Sequence, residues 1–186
     1  MIRTLMIFAA AALLFVPVAR AAEGHKHGME GEPPREGVCV IAPTQGNQTG
    51  GTLMLTQKKG YVQISGRVTG LTPGAHGFHI HEYGDLTAPD GKSAGAHFDP
   101  KGHHKHGGPT SHERHAGDLG NIQADDKGIA KVNVRADGLD LHFVIGRSIV
   151  VHANEDDLKT DPSGNSGARI GVGVIGIAAP RAMTKR

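Results

Sequence analysis

Residues 51–71 read GTLMLTQKKGYVQISGRVTGL. Two short runs rich in aliphatic and β-branched residues are separated by Lys-Lys-Gly. Such runs suit pleated, half-buried strands, and the Gly supplies the turn between them. The pattern continues in both directions. VCVIA (38–42) precedes it; GFHIHEYG (77–84), GNIQA (120–124), IAKVNVRA (129–136), RSIVVHA (147–153) and RIGVGVIGIAA (169–179) follow, with TPGAHG and DDKG as turns between runs. These eight runs predict an all-β domain, an antiparallel sandwich or barrel. No amphipathic helical stretch is predicted outside the N-terminus. Two long irregular stretches, 84–118 and 153–168, interrupt the strands, and long loops in a compact domain are usually functional.

The 186 residues predict one domain plus a processed segment. Arg3, the apolar run from Leu5 to Val18 and Ala19-Arg20-Ala21 have the layout of a cleavable secretory leader over 1–21, too short for a membrane span. Residues 22–36 are polar, Pro/Gly-rich and aperiodic, and predict a disordered arm carrying His25 and His27. The domain is expected over 37–180 and a tail over 181–186. Losing Arg3 and Arg20 with the leader leaves 18 basic residues against 18 acidic ones. With no basic stripe and no interleaved aromatics, no nucleic-acid partner is expected. After cleavage no membrane contact is expected either. The single cysteine, Cys39, cannot form an internal disulfide, and its expected role is that of a small buried hydrophobe.

The chemistry is concentrated in HFDPKGHHKHGGPTSHERHAGD, residues 97–118. No strand or helix requires such a composition. His79 and His81 lie at i and i+2 in a predicted strand, so both rings project from one face. His152 lies on another strand. Neutral imidazole suits copper and zinc, and a three-His, one-Asp set suits a closed zinc shell. A lone histidine would be unremarkable; an H-x-H pair, a His-rich loop ending in Asp and a later strand histidine together point to metal.

GFHIHEYGD, KSAGAHFDP, HGGPTSHERHAGDLGN, GRSIVVHANEDD and GNSGARIGVGVIGIA resemble the successive signature blocks of the Cu/Zn superoxide dismutase family, over about Val38 to Ala179. The resemblance implies an eight-stranded Greek-key, immunoglobulin-like barrel or sandwich. It implies copper ligands His79, His81, His97 and His152, and zinc ligands His97, His106, His115 and Asp118, with His97 an imidazolate bridge. Asp156 matches the residue linking His79 to His106, and Arg169 the anion-attracting arginine. One copper and one zinc per subunit follow, with copper cycling between Cu(II) and Cu(I). Two superoxide anions and two protons would become O2 and H2O2, in a periplasmic or extracellular protein that could be a homodimer. A noncatalytic metal-binding module on the same fold is the alternative; the complete ligand set and Arg169 favour the enzyme.

The sequence departs from that family in several places. The usual intrasubunit disulfide is absent, with Leu86 and Val172 read at the matching positions, where they are expected to pack together and dock the loop. The 153–168 loop is short, with Lys159 its only basic residue. GVGVIG (171–176) has the form of a dinucleotide-binding motif but leaves no room for a helix, so small residues in a closing strand explain it. Asn47-Gln48-Thr49 is a formal glycosylation sequon. His103, His104 and His112 match no ligand position and are expected to be solvated.

Overall fold

A computed structural model describes residues 32–180. The leader over 1–21, His25 and His27 of the arm, and the 181–186 tail lie outside the described residues. All eight predicted strands form: β1 Glu36–Pro43, β2 Gly50–Lys58, β3 Tyr61–Thr69, β4 Gly74–His81, β5 Asp118–Ala124, β6 Ala130–Asp137, β7 Ser148–His152 and β8 Arg169–Ile177. β1 begins one residue inside the stretch assigned to the arm. Two short helices escaped the sequence reading: a 3-10 turn over Lys92–Ala94 and a helical turn over Leu141–Val144. Both are too short to carry the amphipathic periodicity by which a helix is read.

The strands close into one antiparallel barrel in the order β1-β2-β3-β6-β5-β4-β7-β8. The chain order and the sheet order diverge after β3 and again after β6, which is the Greek-key crossing. A closed barrel has no free edge. β2 and β3 pair in register from Gly50↔Thr69 to Lys58↔Tyr61, so Lys59-Gly60 makes the predicted turn. Gly60 takes φ 84°, a conformation that favours glycine.

Strand alternation separates two environments. Phe78 and Ile80 of β4, Ile149 and Val151 of β7, and Ile175 of β8 belong to the barrel core with Leu53, Leu55 and Ile64. The intervening residues His79, His81, Val150, His152 and Val172 are also buried, but on the outer face, beneath the two long loops. GVGVIG lies wholly within β8. At Gly171 a Cβ would lie 2.7 Å from Thr49 Cγ2 and 2.9 Å from Ile41 Cγ2, so the glycine admits the close approach of neighbouring side chains. The closing strand thus accounts for the motif.

Candidate metal centre

The pairing register assembles the outer-face site. Across the β4–β5 ladder His79 faces Asp118, after a bulge that follows Gly77. A bulge re-aims side chains, and this one adjoins the site. His81 forms an isolated bridge with His97, which brings the start of the long loop against the end of β4. Across β7–β8, His152 faces Arg169. His79 and His152, 73 positions apart in sequence, therefore meet on one face.

Two groups of buried donors result. His79, His81, His97 and His152 form one, and His97, His106, His115 and Asp118 the other; in each, one ligand atom per residue lies within 4.8 Å of all the rest. His97 belongs to both. His103, His104 and His112 are exposed and outside both groups.

Hydrogen bonds determine which nitrogen each ring offers. The Nδ1 of His81 donates to the Gly95 carbonyl at 2.9 Å, and the Nδ1 of His152 to the Gly167 carbonyl at 3.2 Å. A carbonyl only accepts, so in the neutral rings both Nε2 atoms carry lone pairs. Those two atoms lie 3.4 Å apart, and two lone pairs at that distance call for a shared cation or proton. The Nε2 of His79 donates to Asp156 Oδ2 at 2.8 Å, leaving its Nδ1 buried without a partner. The Nδ1 of His97 lies 2.7 Å from Asp118 Oδ1, and its Nε2 is buried without a partner.

The second group has the same logic. Asp118 Oδ2 accepts the backbone N–H of Gly107 at 3.1 Å and of His115 at 3.0 Å. Its Oδ1 faces the Nδ1 of His97 at 2.7 Å, of His106 at 3.1 Å and of His115 at 3.2 Å. The His106 contact is within ion-pair distance but outside hydrogen-bond geometry, so that nitrogen too has no hydrogen-bond partner. Donors about 2.0–2.1 Å from a tetrahedral Zn²⁺ stand roughly 3.3 Å apart. Two of the three spacings around Asp118, 3.1 and 3.2 Å, are close to that, and the unpartnered nitrogens of His79, His97 and His106 fit metal ions in both groups.

Asp156 joins the halves. Its carboxylate accepts from His79 Nε2 and from His106 Nε2, each at 2.8 Å. The third cluster of His79, His106 and Asp156 is therefore a hydrogen-bonded link, not a further ion site. Asp156 is itself gripped by Asn121 of β5: the Asn121 Oδ1 accepts its N–H and the Asn121 Nδ2 donates to its carbonyl, both at 2.8 Å.

Electrostatics keep the first group neutral. Burial drives the His97 ring down to about 4 against the opposing pull of Asp118, and the His152 ring down to about 3, helped by neighbouring imidazoles and Arg169. Burial likewise holds His79 low, and His81 well below the ordinary histidine value. Neutral rings have lone pairs available to a metal. His106 is the exception: burial opposes its charge, but the Asp118 and Asp156 carboxylates outweigh burial and raise it to about 9. Burial works against ionisation of Asp118 and Asp156, yet the adjacent His106 ring, together with His97 on one side and His79 on the other, holds both well below the usual carboxylate range.

Arg169 is half-buried, and burial lowers it. Its Nη1 donates to the Gly91 carbonyl at 2.7 Å and its Nη2 to the Gly95 carbonyl at 2.6 Å. Gly95 thus orients both Arg169 and His81. The expected packing of Leu86 on Val172 is not found. Leu86 is 41% exposed, whereas Val172 is buried in a small cluster with Ala94 and Val150. The loop is docked by Ala94 and by Arg169, because its short 3-10 turn, and not Leu86, lies over β7 and β8.

Sequence reading missed five contributors. His76 is buried, with Nδ1 2.8 Å from the His152 carbonyl and Nε2 2.9 Å from the Thr72 carbonyl. Asn121, the Gly91 and Gly95 carbonyls, and Asp161, which accepts the His106 N–H at 2.6 Å, complete the set. These contacts use main-chain groups, which every residue carries, so no residue type betrays them.

Residues 49–175 match the family described as copper/zinc superoxide dismutase. An extracellular superoxide dismutase [Cu-Zn] of Onchocerca volvulus is 43% identical over 169 residues, 83% of this chain and 82% of that protein. A superoxide dismutase [Cu-Zn] 2 of Mesembryanthemum crystallinum is 46% identical over 153 residues, 76% of this chain and 97% of that protein. The solved structure of the clock protein EA4 is similar with a TM-score of 0.71 at 38% identity, covering 79% of this chain and 97% of that one.

Proposed function

The chain belongs to the copper/zinc superoxide dismutase family, and from that premise we propose that His79, His81, His97 and His152 hold its copper and His97, His106, His115 and Asp118 its zinc. Its activity is superoxide dismutation, in which two superoxide anions and two protons give O2 and H2O2. The observation that carries the ligand assignment is His97, a ring shared by two donor groups, with Nδ1 toward Asp118 and Nε2 unpartnered toward the other histidines.

Bound copper supplies one-electron exchange with superoxide, and bound zinc a fixed positive charge that is not redox-active. The protein's own groups do the rest. The Gly95 and Gly167 carbonyls and Asp156 fix the tautomers of His81, His152 and His79, so the required lone pairs converge without rearrangement. His97 Nε2 is the atom that takes and returns a proton while Nδ1 stays on the zinc side. Arg169, held by two carbonyls, presents an oriented positive charge that attracts the anion. Lys159 is the only basic residue of the 153–168 loop, which leaves Arg169 the larger share of attraction.

Secretion through the 1–21 leader, to the periplasm or the exterior, is supported by the leader's composition and by relatives named extracellular. No nucleic-acid or membrane partner is proposed, and among the described residues no helix is long and apolar enough to cross a membrane. A homodimer is supported by apolar side chains exposed along β1 and β8: Val40, Val174 and Ile177, with Tyr83 following β4. Isolated exposed aliphatics are ordinary, but a run of them on adjoining strands marks an interaction surface. The decisive experiment measures copper and zinc per chain together with superoxide dismutation. One of each per chain with activity is expected; full loading without dismutation would sink the mechanistic reading.

A further inference from the structure

We propose that Asp161 is a positioning residue for the zinc side of the centre, acting through the main chain of His106; this rests on His106 being a zinc ligand. His106 opens the HGGP turn of the long loop, where the next N–H, that of Gly107, donates to Asp118 Oδ2 of β5 at 3.1 Å. The His106 ring is fixed at Nε2 by Asp156 at 2.8 Å. Neither bond engages the peptide N–H of His106 itself. The backbone is fixed by Asp161, whose Oδ1 accepts the His106 N–H at 2.6 Å across 55 residues of sequence. A carboxylate accepting a peptide N–H makes a charge-assisted bond, stronger than a neutral one.

The same short loop supplies both grips and shapes itself around them. Gly164 has φ 63°, and a Cβ there would run into the Asp156 carboxylate and lie 2.7 Å from His106 Nε2. The Gly164 N–H donates to the Thr160 carbonyl at 2.7 Å and its carbonyl accepts the Asp157 N–H at 2.9 Å, which folds the loop back on itself around residues 157–164. Leu158 reaches across to Gly108, lying 3.5 Å from where a Cβ there would be. The 153–168 loop is thus a bracket that holds His106 by ring and by backbone, and Asp161 is the half of it that reaches only the His106 main chain. His152 and the other strand-borne donors have no contact with Asp161 among the bonds described, so its effect falls on zinc.

The test uses the copper- and zinc-loaded protein and compares Asp161→Ala with Asp161→Asn. Zinc release to a chromophoric chelator and copper release are timed separately, and the visible spectrum of cobalt(II) placed at the zinc position reports donor geometry. Outer partners of metal ligands typically change affinity about 10–100-fold. Asp161→Ala is expected to speed zinc release about tenfold, in line with that range. It should also alter the cobalt spectrum and leave copper release near its original rate. Asp161→Asn, whose amide oxygen still accepts the His106 N–H, should restore most of the retention. Unchanged zinc release and spectrum in Asp161→Ala, equal acceleration of both metals, or no recovery in Asp161→Asn would each overturn the proposal. His106→Ala separates the two readings: full zinc retention there refutes the ligand assignment itself, whatever Asp161 does.

Discussion

The two halves of the centre are built from different material. His79, His81 and His152 stand on β4 and β7, strands whose alternate residues are locked into the barrel core. His106 and His115 stand in the 97–118 loop, whose two ends meet β4 by main-chain bonds at Phe98 and Gly117 but whose middle is held by side-chain bonds to Asp118, Asp156 and Asp161. A strand holds its ligand with the whole sheet, whereas a loop holds one with a few polar bonds. The strand-borne half should therefore survive damage to the loop better than the reverse, with His97 the hinge between them.

The largest effects should come from removing direct donors on either side. His152→Ala takes one imidazole from the strand-borne group; copper affinity should fall by more than about 100-fold, beyond the loss typical of an outer partner. Dismutation should fall with it, while zinc is kept. His115→Ala should lose zinc and keep copper. Metal content by elemental analysis with an activity assay checks both, and a His152→Ala protein with full activity would remove the copper assignment. Asp156→Ala comes next, because its carboxylate touches a ring in each half. Both metals should be retained about 10–100-fold less well. Loss of one metal alone would show that the link serves only that half.

Much of this comparison was legible beforehand, for identifiable reasons. Strand alternation placed His79 and His81 on one face before any coordinates, because a period of two leaves no other choice. Phe78 and Ile80 between them confirm the alternation from the core side. The strands themselves were readable from β-branched runs and Gly turns. The loop could be read for composition only. Nothing in 84–96 says that Ala94 is covered and Leu86 is exposed, because a loop has no period to assign a face. Asp161 gave no signal either: its partner is a main-chain N–H, and its neighbours in sequence are those of any polar turn.

The halves also differ in charge, which fixes the pH behaviour of the metal-free protein. His97 and His152 have folded values of about 4 and about 3, below the ordinary 6.5 that they regain on unfolding. The unfolded chain then binds more protons between those limits, so stability is full above 6.5 and lost as pH falls toward 3. His106, raised to about 9, acts in the opposite sense: its contribution is full below 6.5 and lost as pH rises through 9. Together they place the stability maximum of the metal-free protein near the ordinary histidine value, with a loss on the order of a few kcal/mol by pH 4. Denaturant unfolding across pH, on protein stripped of metal, measures it. A curve flat from 4 to 9 would mean that these rings are not held in their present environments without metal.

The smallest expected effect is none at all, from a phosphine reductant on the metal-free protein. Docking of the loop over β7 and β8 rests on Ala94 against Val150 and Val172, and on two bonds from Arg169. None of these can be reduced. The one cysteine, Cys39, is fully buried in the barrel core, its Sγ donating to the Gly173 carbonyl at 3.2 Å, and burial raises its thiol to about 12. A thiolate is the reactive form, so this cysteine neither exchanges nor oxidises readily. Thermal unfolding of the metal-free protein should therefore be the same with and without reductant, whereas Arg169→Ala, which removes both carbonyl bonds, should loosen the loop. A lower unfolding temperature under reductant would mean that Cys39 is engaged in a disulfide between two chains and is not the buried free thiol seen here.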